Sequence, residues 1–134
     1  MLNMKIGYII LYVADQNEST QFYKTLLQKE PCLVVPGMTE FLLSDSLKLG
    51  LMPNDGIAKI LKSVTPHPSL GKGIPRCELY FYTDSLEVSF LLAIENGATL
   101  VSPIVSRDWG DTVGYLADKD GHIIALAQKG NNKV

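Results

Sequence analysis

The chain has 134 residues, a usual single-domain length and enough to bury one sizeable core. With 46% hydrophobic and 19% charged residues it is unlike a disordered chain, and a net charge of −2 with no run of Lys or Arg argues against nucleic acid or anionic membrane as a partner. The apolar run from Tyr8 to Ala14 is too short to span a bilayer and lacks the cationic flank and cleavage site of a signal peptide, so a cytoplasmic protein is expected.

Residues 6–14, IGYIILYVA, are apolar, β-branched and aromatic, which predicts a strand buried on both faces. Asp15 then precedes an acidic, polar first turn (Asn17, Glu18, Ser19) with Phe22, Tyr23, Leu26 and Leu27 behind it at helical spacing. Three short strands follow, CLVV, TEFLLS and LKLGLM, separated by turns at Pro36-Gly37 and Ser44-Asp45-Ser46. The next stretch, 53–76, carries four prolines and three glycines and predicts a connecting loop with one helical turn at 57–61. His67 within it is expected to be solvated.

The pattern then begins again. CELYFYT is a strand, Asp84-Ser85 starts a helix whose apolar face is Val88, Leu91, Leu92 and Ile94, and Asn96-Gly97 stops it. ATLVSPIV, TVGYLAD and HIIALAQ are three further strands, the last two joined by a turn at 118–121. Laid over one another, 8–13 falls on 78–83 and 45–50 on 120–125, so the chain is a duplicated βαβββ module. The expected organisation is one domain, 1–134, with module 1 at about 5–53, a connecting loop at about 54–75, module 2 at about 76–128 and a frayed tail at 129–134. Cys32 and Cys77 are too few for a disulfide framework and are expected as buried free thiols.

A curved four-stranded sheet with one helix on its back leaves its concave face to line a cavity. Two such sheets make an incomplete barrel able to hold a small ligand. Because side chains alternate along a strand, Tyr8, Ile10 and Tyr12 share one face, as do Glu78, Tyr80 and Tyr82. Phenolic and acidic groups fit the cleft better than the helix side, where their polar tips would need partners. Phe41 and Met52 join Tyr8, Tyr12, Glu78, Tyr80 and Tyr82 as candidate cleft residues. Trp109 is a candidate lid or wall, and Arg107 with Asp108 a candidate for steering an anionic or polar ligand.

The opening strand, Asp15, the acidic helix with Phe22-Tyr23, and the closing Asp118-Lys119-Asp120-Gly121-His122 followed by IIALAQ resemble the vicinal oxygen chelate superfamily, the glyoxalase/bleomycin-resistance proteins. Arg107-Asp108-Trp109-Gly110-Asp111 adds to the resemblance, which runs from Lys5 to Gln128. It implies an α+β fold of two βαβββ modules, each a curved mixed sheet backed by one helix, and commonly a homodimer. The family's enzymes hold a divalent metal with four side chains, and the matching positions here are Tyr8, Gly50, Glu78 and Ala125. Gly50 and Ala125 have no ligating side-chain atom, Tyr8 is a poor ligand unless deprotonated, and one carboxylate cannot hold such an ion. No metal cofactor is therefore expected.

Glu78 is the one acidic group among these positions. In an apolar cleft its carboxyl pKa would rise, and it could serve as a general base or bind a cationic or hydroxyl-bearing ligand. A paired core carboxylate, satisfied by Tyr8 or Arg76, is the competing reading, and His122 reads as structural beside its turn. The sequence favours a metal-free binder of a small molecule, an antibiotic or a metabolite. An enzyme of the lyase, isomerase or dioxygenase kind related to lactoylglutathione lyase, with Glu78 as acid/base, is the alternative, and a purely structural or dimerising module is the third.

Overall fold

The computed structural model describes residues 3–131. The chain divides into two compact units, Met1–Leu70 and Gly71–Val134, the boundary lying inside the expected connecting stretch. Each unit is a four-stranded mixed sheet with a helix on its back, and together they are the α+β pair of βαβββ modules read from the sequence.

In the first unit, β1 (Tyr8–Val13), α1 (Gln16–Leu27), β2 (Leu33–Val35), β3 (Met38–Ser44) and β4 (Leu47–Pro53) form a sheet of order β1-β4-β3-β2. β1 and β4 run parallel and the other pairs are antiparallel. Asp15 caps α1, its side chain accepting from the Glu18 backbone N–H at 2.9 Å, as an acceptor at a positive helix end should. One face of the helix buries Phe22 and Tyr23 against the sheet, which contributes Leu11, Val13, Phe41, Leu49 and Leu51. The polar groups at this join are paired. Thr20 Oγ1 lies 2.8 Å from Thr39 Oγ1, and Gln16 donates to the Val35 carbonyl and Thr39 while accepting from Gly37 N–H.

The segment after β4 is more regular than its composition suggests. A two-turn helix, α2 (Asn54–Leu61), starts directly at Pro53 and buries Ile57, and short 3-10 turns follow at 62–64 and 68–71. Prolines at the ends, not the middle, leave its interior intact. His67 is more than solvated: its Nε2 lies 3.1 Å from Asp55 Oδ1 and its Nδ1 accepts from Ser69 N–H at 3.2 Å.

In the second unit, β5 (Glu78–Tyr82), α3 (Leu86–Glu95), β6 (Thr99–Ser106), β7 (Thr112–Ala117) and β8 (Ile123–Gln128) give the order β5-β8-β7-β6, again with only the first pair parallel. The duplication extends to register. Tyr8 pairs with Lys48 and Ile10 with Gly50, while Glu78 pairs with Ile123 and Tyr80 with Ala125. Those are the partners that the overlay of the two halves requires. Gly114 of β7 lies under α3, where an added Cβ would strike the Phe90 ring and stand 2.8 Å from Ile104 Cγ1.

Two expectations are corrected. Both cysteines are free, but Cys32 is exposed and Cys77 only partly buried, because Cys32 precedes the edge strand β2 and so has a neighbour on one side only. Of the tail, Gly130 is anchored, its N–H donating to Asp111 Oδ1 at 3.0 Å. Residues 132–134 lie outside the described residues.

Candidate functional site

In each unit, alternation sends one set of strand side chains to the helix and the other to the opposite, open face. On β1, Leu11 and Val13 are buried under α1, whereas Tyr8 and Ile10 are exposed and Tyr12 is half-buried. Tyr12 pairs with Met52, also half-buried. Phe41 belongs to the other set. It shares the phase of Thr39, which bonds to Thr20 of α1, and it is wholly buried in the helix-side core, so it is not a ligand-facing aromatic of the open face.

The open-face residue of that strand is Glu40, which sequence reasoning missed. Tyr8 donates to Glu40 Oε1 at 3.3 Å, and Lys48 Nζ lies 3.4 Å from the same oxygen and 5.7 Å from the Tyr8 ring centre. Glu40 is buried while Lys48 keeps a solvent-facing side. The hydrogen bond to Glu40, with smaller electrostatic contributions from Tyr8 and the Glu40 charge, holds the Lys48 ammonium above its ordinary pKa. Tyr8 is thus committed to a carboxylate of its own sheet and does not satisfy Glu78.

In the second unit the open face carries a directed network. Trp109 Nε1–H donates to Tyr80 Oη at 2.9 Å, Tyr80 donates to Asp111 Oδ2 at 2.6 Å, and Tyr82 donates to the same oxygen at 2.9 Å. Asp111 is fully buried, its other oxygen accepting from Gly130 N–H. An ionised carboxylate only accepts, and every one of these partners is a donor aimed at it. The Tyr80 and Tyr82 rings meet edge to face at 5.5 Å, and Lys129 Nζ stands 5.7 Å from the Tyr82 ring centre. Trp109 and Tyr82 remain about half exposed, 48% and 49%. Beneath them, Val113, Ala125 and Ala127 form a buried apolar floor against which Tyr80 and Tyr115 pack.

Arg107 does not reach out to a ligand. Its guanidinium donates to the Val113 and Pro103 carbonyls and to Ser102 Oγ, and lies 5.1 Å from the Tyr115 ring centre. It clamps the irregular β6–β7 pairing, where register shifts between Leu100 and Val105 would otherwise leave carbonyls without donors. Asp108 lies in the turn that precedes Asp111. Glu78 is exposed at the start of β5, so its carboxylate does not have the enclosed apolar setting expected of it.

The four positions where related enzymes hold a metal do not fit one. Gly50 and Ala125 offer no donor, and Gly50 is enclosed: a Cβ there would meet Ile10 Cγ1 and Met38 Sδ, both at 3.2 Å. Ala125 is wholly buried in the apolar floor. Among the described residues a different group, Asp118, Asp120 and His122, has donor atoms within 4.8 Å of one another. Asp118 accepts from the Asp120 and His122 backbone N–H groups, with His122 Nδ1 at 2.8 Å. On the other side Arg76 donates to the Asp120 carbonyl and, at 3.1 Å, to His122 Nε2. A guanidinium can only donate, so His122 carries its proton on Nδ1, and a fixed positive charge already faces the group. It is a clasp for the β7–β8 turn, whose Gly121 (φ +94°) packs against the Gly73 backbone.

Comparison with known proteins gives the same lineage. The glyoxalase-like domain family matches residues 6–129. An uncharacterized protein of Mycobacterium bovis is 31% identical over 123 residues, covering 88% of this chain and 79% of its own. One from Mycobacterium tuberculosis H37Rv is 31% identical over the same length, 88% of this chain and 71% of its own. Among solved structures, a glyoxalase-related enzyme from Fulvimarina pelagi superposes with a TM-score of 0.80 at 19% identity, covering 95% of this chain and 89% of that one. A glyoxalase/bleomycin resistance protein/dioxygenase from Nocardioides gives 0.77 at 16% identity, covering 98% and 87%. Together with the duplicated module and its register, these matches make the chain a member of the glyoxalase-like domain family within the vicinal oxygen chelate superfamily.

Proposed function

We propose that this protein is a metal-free binder of a small organic molecule, a metabolite or an antibiotic, received on the open sheet faces. The observation that carries the reading is the exchange at the family's ligand positions. Glycine and a buried alanine stand where donors would be needed, while the same faces present Tyr8, Tyr12, Tyr80, Tyr82 and Trp109. Tyr8, Tyr80, Tyr82 and Trp109, held by their own hydroxyl and indole groups, provide a rigid apolar surface at little entropic cost. In the purified protein, elemental analysis should find no stoichiometric Zn, Ni, Mn or Fe. A metabolite and antibiotic screen should yield thermal shifts that are lost in Tyr12→Ala, Tyr80→Ala or Trp109→Ala. A stoichiometric metal, or a broad screen with no shift, defeats the reading.

The alternative, a lyase, isomerase or dioxygenase with Glu78 as acid/base, draws on the exposed carboxylate on the Tyr80 face of β5. It requires turnover that Glu78→Gln abolishes. We also infer a homodimer, supported by apolar edge strands: Leu33, Val34 and Val35 on β2, and Leu100, Val101 and Val105 on β6, are all exposed. Light scattering should give twice the chain mass. Among the described residues no helix is long and apolar enough to cross a membrane, and we place the protein's work in the cytoplasm.

A further inference from the structure

Resting on that small-molecule reading, we propose that the Tyr80–Tyr82–Trp109 face takes an organic cation, a ligand bearing an alkylated ammonium group. The protein itself places an ammonium there: Lys129 Nζ lies 5.7 Å from the Tyr82 ring centre, within the range of a cation–π contact. Lys129 is an exposed residue just beyond β8, so its side chain can turn into water and yield the ring to a ligand.

The hydrogen-bond directions favour the same charge. Both phenols give their protons to Asp111, and Trp109 gives its indole proton to Tyr80. None of the three therefore has an O–H or N–H left for an anion. Donation to a carboxylate also moves electron density into the phenol rings, which strengthens the negative potential of their faces. Asp111 and Glu78, the latter farther along the same face of β5, are negative, and of the two cations on this face Lys129 is exposed while Arg107, over the neighbouring Tyr115 ring, is held by the Val113 and Pro103 carbonyls. Trp109, half exposed, adds the best of the cation–π surfaces.

Trp109 is the only tryptophan in the sequence, so its fluorescence reads this face directly. Three probes of one size separate the possibilities: benzyltrimethylammonium, benzyl alcohol and benzoate. The cation should perturb Trp109 saturably and bind at least about tenfold tighter than the alcohol, as two or three ring faces acting together allow. Lys129→Met removes the internal competitor and should tighten cation binding by about threefold, whereas Tyr82→Leu should weaken it by about five- to tenfold. Tyr82→Phe keeps the ring without its bond to Asp111, and an intermediate loss is expected even if the leucine variant fails to fold. Equal binding of cation and alcohol, or preference for benzoate with loss in Lys129→Met, overturns the cation proposal and leaves small-molecule binding standing. No saturable response to any of the three also overturns the cation proposal, and a metabolite and antibiotic screen that is equally silent overturns small-molecule binding with it.

Discussion

Replacing Asp111 tests the second unit most directly. Its carboxylate is wholly buried and accepts from Tyr80, Tyr82 and the Gly130 N–H. Each bond to a charged acceptor contributes about 1.5–3 kcal/mol when the partner cannot find water instead. Tyr82 is half exposed and can turn its hydroxyl to solvent, so its share falls well below that range. Tyr80 and Gly130 have less recourse. Asp111→Leu should therefore destabilise the unit by about 3–4 kcal/mol, and Asp111→Asn, which keeps shape and one acceptor but turns an amide toward a donor, by about 1–2 kcal/mol. Urea unfolding followed by Trp109 fluorescence measures this, since the one tryptophan belongs to the same unit and bonds within the network. A leucine variant within about 1 kcal/mol of the parent would refute the account, because Tyr80 and the Gly130 N–H cannot lose a buried acceptor so cheaply.

Gly114→Ala should cost about 1–3 kcal/mol by overpacking α3 onto β7, with partial rescue by Phe90→Leu; a neutral result in thermal melts would contradict the close approach. Gly121→Ala, at φ +94° with its Cβ 2.7 Å from the Gly73 Cα, should cost more than about 2 kcal/mol, whereas Gly50→Ala, meeting only the flexible Ile10 and Met38, should cost less than about 1 kcal/mol. Burial, reinforced by the charge of Asp118, pushes the Cys77 thiol pKa up from 9.0 against the opposing pull of Arg76. Iodoacetamide should therefore label exposed Cys32 first at pH 7.5, with the Cys77 rate still climbing past pH 9.0; equal labelling at pH 7.5 would count against this. The Lys48 pKa is raised above 10.5 in the folded chain, so its pairing with ionised Glu40 is fully present up to about that value and is lost as pH climbs through the folded value. The difference in urea midpoint between the parent and Lys48→Met should stay level from pH 6 to 9 and shrink above 10.5, and a difference that grows with alkali would reverse the assignment.

How far the site could be read ahead differs from residue to residue. Alternation puts Tyr8 with Tyr12 and Tyr80 with Tyr82 on one face of each strand, and their polar tips send that face away from the helix. β3 carries apolar residues in both phases, and Phe41 could be sent either way until its pairing with Leu49 and the bond of Thr39 to Thr20 fixed the phase. Glu40 was overlooked for the same reason. Arg107 and Asp111 stood in a recognised stretch, but their bonds run to carbonyls within β6–β7 and to hydroxyls 29 and 31 residues earlier.

The amino-acid order alone determined the duplicated strand–helix–strand pattern, the matching register of its two halves and the missing donors at Gly50 and Ala125. These follow from periodicity, from turn chemistry and from what a side chain contains. Only the folded chain decided where the buried polar groups find their partners: Glu40 with Tyr8 and Lys48, Asp111 with two phenols, His122 between Asp118 and Arg76. A hydrogen bond spans about 3 Å in space but any distance along the sequence, and no local pattern records which distant donor a buried acceptor meets.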